Sequence, residues 1–241
     1  MDSKSFYENM AEVYHHIFPV GKKADFIQKK MVANSRVIDI GCSDGRVAKE
    51  LVVRGYEVTG IDLSEEMVQV AKKISEDGRL FKVKTMDMIQ IEAYYPKGHF
   101  DGAYCIGNTL VHLSNEGAID KTIRSMANIL KPGGKLVIQI INYDHIFSEQ
   151  VKVLPMIENE FVKFERFYDL MDEKVGFRTV LEIKRSNHII EKETYLFPIR
   201  KNGLENLLLT NGFSQISWYG GFDGRPFTKD RLPLIVVGVK A

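Results

Sequence analysis

The stretch RVIDIGCSDGRVAKELVVRGYEVTGIDLSEEM (36–67) decides the fold. RVIDIG (36–41) is a β-branched run suited to a buried strand. Val47, Leu51 and Val52 then put an apolar stripe on a helix that stops before Gly55. YEVTGID (56–62) reads as a second strand, and Ser64, with Glu66 close behind, caps a helix carrying Met67, Val70, Ala71 and Ile74 and stopped by Gly78. A strand, a helix and a strand in succession call for a βαβ unit, with parallel strands covered on both faces.

The same grammar continues outward. LFKVKTMD (80–87) and HFDGAYCIG (99–107) are the third and fourth strands. Ile119, Ile123, Met126, Ala127 and Leu130 lie at helical spacing over 115–130, and Pro132-Gly133-Gly134 turns that helix into KLVIQIIN (135–142), the fifth strand. Then the pattern changes. Three runs rich in Phe, Tyr, Val and Ile (161–171, 176–187 and 189–199), joined by Asp172-Glu173-Lys174 and Ser186-Asn187, read as an antiparallel meander. A helix over 201–211 and strands over 213–219 and 232–240 return to the first sheet. The expected fold is α/β: a doubly wound, Rossmann-like, mostly parallel seven-stranded sheet with an antiparallel β lid inserted after strand five. Its parts are an N-terminal helical segment (1–30), a core (31–150), the insert (151–199) and a C-terminal return (200–241).

Composition narrows the partners. The 241 residues are 44% hydrophobic and 27% charged, and 33 Lys+Arg against 32 Asp+Glu leave a net charge of +1. No global field therefore favours nucleic acid or an anionic membrane. MDSKSFYENMAEVYHH has no apolar signal core, and no apolar run reaches membrane length, so a cytoplasmic location and no membrane partner are expected. Cys42 and Cys105 are too few for a disulfide scaffold or a zinc cluster, and no metal is expected.

In a doubly wound sheet the ligand lies beyond the carboxyl ends of the strands. Strand one ends in Asp39-Ile40-Gly41-Cys42-Ser43-Asp44-Gly45, whose small residues admit a ligand close to the backbone. Strand two ends in Asp62, about 20 residues on, the distance at which a carboxylate meets ribose hydroxyls. Together they indicate a nucleoside-containing ligand. A dinucleotide fingerprint needs glycine where Ser43 and Arg46 stand, which disfavours a pyrophosphate and a nicotinamide-dependent oxidoreductase.

These residues resemble the class I S-adenosylmethionine-dependent methyltransferases: Asp39, Gly41 and Gly45 in the first loop, Asp62 after strand two, Asp87 after strand three, Phe100-Asp101 opening strand four and LKPGGKLVI (130–138) before strand five. Ser43 departs from the commonest pattern, which has glycine there. The resemblance implies S-adenosylmethionine as cofactor. Asp39 and the Gly41–Gly45 loop would surround its methionine part, Asp62 its ribose, Asp87 its adenine amino group, and Leu63, Met67 and Met88 its adenine faces. The expected strand order puts Cys42 and Cys105 near the methionine moiety. Acidic residues around a cationic sulfonium are consistent with this placement.

A narrower resemblance, to small-molecule N-methyltransferases similar to glycine and sarcosine N-methyltransferases, lies in Gly107-Asn108-Thr109-Leu110-Val111-His112-Leu113. It implies that Asn108, His112 and Tyr14 position the acceptor, that Tyr7 and Tyr14 close over the cofactor, and that the insert carries the acceptor pocket. Each has a plainer reading: Asn108 as a turn residue, His112 as a hydrogen-bonded core histidine, Tyr14 as part of an amphipathic helix with Phe6, Met10 and Ile17. Arg166 shares a period-two face with Val162, Phe164, Tyr168 and Leu170; it either snorkels or pairs with an acid, or clamps a substrate carboxylate. Arg225, in the loop YGGFDGRPF (219–227), is a second candidate substrate ligand, whereas Lys29-Lys30 and Lys72-Lys73 read as solvated helix faces.

The expected function is methyl transfer to a small molecule, at an amine nitrogen, by in-line displacement. O-methylation of a small carboxylate or hydroxyl compound and a non-catalytic S-adenosylmethionine-binding protein remain as alternatives. The sequence leaves the oligomeric state open. S-adenosylhomocysteine should raise the thermal midpoint and NAD should not, because the loop spacing suits a nucleoside and mismatches a pyrophosphate; equal stabilisation by NAD in a thermal-shift assay would contradict the assignment.

Overall fold

The computed structural model describes residues 10–75 and 79–241, so Phe6, Tyr7 and Gly78 lie outside the described residues. β1 (Arg36–Ile40), β2 (Glu57–Asp62), β3 (Phe81–Thr85), β4 (Phe100–Cys105) and β5 (Leu130–Ile141) are the parallel strands. They share one sheet with β10 (Phe213–Tyr219) and β11 (Pro233–Lys240), in the order β10-β11-β5-β4-β1-β2-β3. β11 runs antiparallel to both β5 and β10. Because β1 sits between β2 and β4, the chain reverses its winding direction there, opening a crevice at the strands' carboxyl ends.

Period-two alternation on these strands feeds two cores. On β11, Leu234 and Val236 face one side with Ile119, Ile123 and Met126 of α6 (Glu116–Ile129) and Leu204 and Leu208 of α8 (Lys201–Thr210). Ile235 and Val237 face the other, with Ala24, Phe26 and Ile27 of α2 (Lys23–Lys30), Ala48 and Leu51 of α3 (Arg46–Val53) and Ala71 of α4 (Glu65–Ile74). Caps follow the local chemistry. Ser64 Oγ accepts the Met67 N–H and Asn115 Oδ1 the Ala118 N–H, each tying an orphan donor of a first turn. α5 (Ile91–Tyr94) and α7 (Tyr143–Ser148) are short connectors.

The insert is a separate antiparallel sheet, β6 (Ile157–Glu158), β7 (Val162–Leu170), β8 (Val175–Ile183) and β9 (His188–Leu196), in sequential order. The two-residue β6 adds a fourth strand to the three expected. Val162, Phe164, Leu181 and Ile190 on its inner face form a third core with Met10, Ala11 and Ile17, at and beside α1 (Tyr14–Ile17). Asn159 Nδ2 donates to the His16 carbonyl at 2.8 Å, and the His16 ring stacks on Phe161 with centroids 3.9 Å apart. The N-terminal segment and the insert thus bury each other over the strand ends. Lys30, expected as a solvated residue, instead donates to Tyr219 Oη at 2.9 Å and lies over its ring. No helix among the described residues is long and apolar enough to cross a membrane.

Asn142, fully buried after β5, holds the returning chain. Its amide nitrogen donates to the carbonyls of Lys229 and Arg231 at 3.0 and 2.9 Å, and its backbone N–H donates to Leu232 O at 2.7 Å. Asn142→Ala should lower unfolding free energy by about 1–3 kcal/mol, the scale for losing the two hydrogen bonds of a buried amide. Urea denaturation measures it, and an unchanged midpoint would show that water replaces the amide.

Candidate active site

The loop after β1 turns through left-handed backbone at Gly41 (φ 79°), Ser43 (φ 49°) and Gly45 (φ 77°). A Cβ at Gly41 would stand 2.4 Å from the Thr109 methyl, so glycine is what lets the loops after β1 and β4 meet. Gly45 serves packing: its Cβ would meet Ala71 and Phe81 at 2.9 Å. Asp62 ties two strand ends together, since Oδ2 accepts the Ser43 N–H at 2.8 Å and Oδ1 the Ser64 N–H at 2.9 Å. Asp87 Oδ1 accepts the Ile89 N–H at 2.9 Å and so fixes the turn after β3.

Two cavities open at these strand ends. The first, about 260 Å³, is lined by Asp62, Asp87 and Ser43 among polar groups and by Leu63, Met67, Met86, Met88 and Ile89 among apolar ones. The second, about 220 Å³, lies under the insert and is lined by Lys23, Asn108, Gln139, Phe164, Arg166 and Tyr168, among others. Tyr14, Gly107 and His112 line both. Among the described residues, the first cavity is lined by carboxylates and no Lys or Arg, the second by Lys23 and Arg166 and no carboxylate.

Electrostatics sharpen the contrast. Burial raises the carboxyls of Asp39, Asp44 and Asp62, and Asp39 reaches about 8 because Asp62 and Asp44 add to that burial, against the Tyr104 hydroxyl and Lys23. Such crowded carboxyls favour a nearby cation, as a sulfonium or an α-ammonium would provide. His112 is driven the other way: burial lowers it to about 4, so the imidazole is neutral at physiological pH. Burial also raises the Tyr14 phenol, which stays protonated.

The proposed site residues divide. Tyr14, Gly41, Asp62, Leu63, Met67, Asp87, Met88, His112, Asn108 and Arg166 line one cavity or both. Asp39 and Gly45 stand behind the lining. Cys42 and Cys105, expected beside the methionine moiety, are buried outside both linings, since the strand ends turn their sulfurs into the protein: Cys42 Sγ lies 2.9 Å from where a Gly60 Cβ would be, and Cys105 joins the main core. Arg225 is corrected too: it pairs with Asp223 on the exposed loop and lines neither cavity. Arg166 meets no acid among the described residues; its Nη2 donates to the Pro155 carbonyl at 2.6 Å in an exposed bond, and its buried Nε has no partner among those residues. Sequence reasoning missed Lys23, Gln139 and Tyr168 as lining groups. Gln139 left a signal, as the lone polar side chain within LVIQII (136–141).

Residues 37–134 match the family model of a methyltransferase domain. Its core is a class I S-adenosylmethionine-dependent methyltransferase domain. The cofactor of this domain is S-adenosylmethionine, and the acidic first cavity with its apolar wall fits a nucleoside joined to a cationic amino acid. The chain is 33% identical to a ubiquinone biosynthesis O-methyltransferase of Dechloromonas aromatica over 130 residues, 53% of each chain. It is 28% identical to a glycine/sarcosine N-methyltransferase of Aphanothece halophytica over 78% of this chain and 69% of that one. The chain thus spans about half the length of the first of these relatives. Among solved structures, the CcbJ methyltransferase of Streptomyces caelestis superposes with a TM-score of 0.83 over 100% of both chains at 18% identity, a likeness of fold that includes the insert.

Both thiols should react slowly with iodoacetamide in the native protein, with or without S-adenosylhomocysteine, because burial withholds them and pushes both above the usual thiol range. Mass-spectrometric labelling reads this, and a thiol labelled fast in the free protein but protected by the ligand would return it to the site.

Proposed function

We propose that the protein transfers the methyl group of S-adenosylmethionine to a small-molecule acceptor held in the second cavity, with an amine nitrogen as the methyl-accepting atom. One observation carries this reading: two cavities of opposite charge meet at Tyr14, Gly107 and His112, so a donor in one faces an acceptor in the other.

When bound, S-adenosylmethionine supplies an electrophilic methyl group on a cationic sulfur. The chain's own residues do the rest by position. Asp62 and Asp87 would hold the ribose and the adenine, and Gly41 allows the backbone approach. Tyr14 and Gly107 border the passage between the cavities, and the insert covers the second. Orientation and desolvation of this kind supply on the order of 7–11 kcal/mol in favourable cases. His112, neutral and at the junction, is placed to orient the acceptor rather than to deprotonate it.

A nitrogen is favoured over a hydroxyl oxygen because no carboxylate among the described residues lines the second cavity, and an imidazole that protonates only near pH 4 is too weak a base for an alcohol. A neutral amine already has its lone pair. Incubation with S-adenosylmethionine and a panel of primary and secondary amines, phenols and alcohols, read as S-adenosylhomocysteine released and product mass gained, should give turnover with amines; phenols alone would reverse the choice of atom, and no turnover with any would leave a binding protein. At saturating acceptor, kcat should show no His112 limb between pH 6 and 8, since the folded imidazole gains its proton only towards pH 4. A limb near 6.5 that His112→Gln abolishes would mean the imidazole works as a cation.

A further inference from the structure

The helix that carries Tyr14 cannot hold itself in place. α1 has four residues, far short of the length at which an isolated helix persists in water, so its position is set by what it packs against. Tyr14, Ile17 and Phe18 stand at i, i+3 and i+4 and share one face. Ile17 is buried in the core that Val162, Phe164, Leu181 and Ile190 of the insert build. The Phe18 ring meets Phe164 edge-on with centroids 5.8 Å apart and lies 5.1 Å from the Tyr14 ring. The face that the insert holds is therefore the one that presents Tyr14 to both cavities.

One side chain adds a directed bond to this packing. Asn159 stands in the turn between β6 and β7, where its Oδ1 accepts the backbone N–H groups of Phe161 and Val162 at 2.9 and 3.0 Å. Backbone N–H groups only donate, so the oxygen end of the amide faces the turn and the NH2 end faces away. That NH2 donates at 2.8 Å to the His16 carbonyl, in the last turn of α1, where helix geometry leaves carbonyls without a donor of their own. With one end the amide closes its own turn, and with the other it caps α1. Beside it the His16 and Phe161 rings stack. Asn159 itself lines neither cavity.

Resting on the reading of the first cavity as the cofactor's, we propose that Asn159 is a positioning residue for methyl transfer: it clamps α1 to the insert and so fixes Tyr14 across the junction of donor and acceptor. The element that covers the acceptor cavity then also governs how tightly the cofactor is held. A cofactor that binds well only while Tyr14 is in place binds more weakly in proportion to the time α1 spends away from the insert. Such coupling is reciprocal, so an occupant of the second cavity that braces α1 against the insert tightens the cofactor.

The test is calorimetric titration of S-adenosylhomocysteine into the full chain at pH 8. Asn159→Asp keeps both bonds of the turn, since a carboxylate accepts as the amide oxygen does, but sets an acceptor against the His16 carbonyl. It should weaken S-adenosylhomocysteine about tenfold, the scale of one lost hydrogen bond. Phe161→Ala removes the stacked ring from an exposed position, leaves the backbone of the turn intact, and should weaken it about threefold. Tyr14→Ala should weaken binding as well, and in that background neither substitution should cost more than about twofold, because the residue through which both act is gone. A merely structural Asn159 lowers the thermal midpoint and leaves the affinity alone, or costs the same with and without the Tyr14 ring. Either result overturns the proposal, as does Tyr14→Ala binding like wild type. A cooperative thermal transition without ligand shows that a variant is folded, and Phe161→Ala, with and without Tyr14→Ala, carries the test should Asn159→Asp fail that check. A wild type that binds no S-adenosylhomocysteine sinks the cofactor reading and the clamp together, whereas one that binds it and is indifferent to Asn159→Asp sinks the clamp alone.

Discussion

The site depends on one carboxylate. Asp62, at the end of β2, accepts a backbone N–H from the loop after β1 and another from the start of α4. A charged acceptor shared by two backbone donors is stronger than neutral pairs and spans the point where the sheet reverses its winding. It holds Ser43 in left-handed backbone, where glycine is the easier residue, and so keeps the loop open beside Thr109. Burial raises the Asp62 carboxyl while those two N–H groups pull it down; the same residue is both scaffold and ligand candidate.

From that anchor the crevice divides by charge. The strand ends on the β2 and β3 side contribute Asp62 and Asp87, and the β5 end and the insert contribute Gln139, Arg166 and Tyr168. A cationic donor would find a complementary wall in the first cavity, and the two cavities meet at Tyr14, Gly107 and His112. Neutral groups at the junction suit this arrangement, because a fixed charge there would favour one occupant at the other's expense.

The insert and the N-terminal segment make the division possible by covering each other. Met10 and Ile17 pack with Phe164, Leu181 and Ile190, while Tyr168, Phe177 and Leu196 of the same inner face join the main core. One face of a four-stranded sheet thus serves two cores, and Arg166 lies between Phe164 and Tyr168 along it. There its Nη2 donates to the Pro155 carbonyl, while its Nε is buried without a partner among the described residues.

By itself the sequence determined the sheet, its winding and the cofactor side. Period-two runs, capping residues and the Gly41, Asp62 and Asp87 spacing are local signals, legible because each acts within a few residues of its own strand end. Tertiary structure alone decided the rest. The inward turn of Cys42 and Cys105, the outward pair of Arg225 with Asp223, and the meeting of Lys23, Gln139 and Tyr168 in one wall all depend on contacts between segments far apart in the chain. So does the role of Asn108: a turn residue by its backbone, it bonds to Ile141 and Tyr143, more than thirty positions away. Partners that far apart in the chain are set by packing, and no periodicity in a sequence records them.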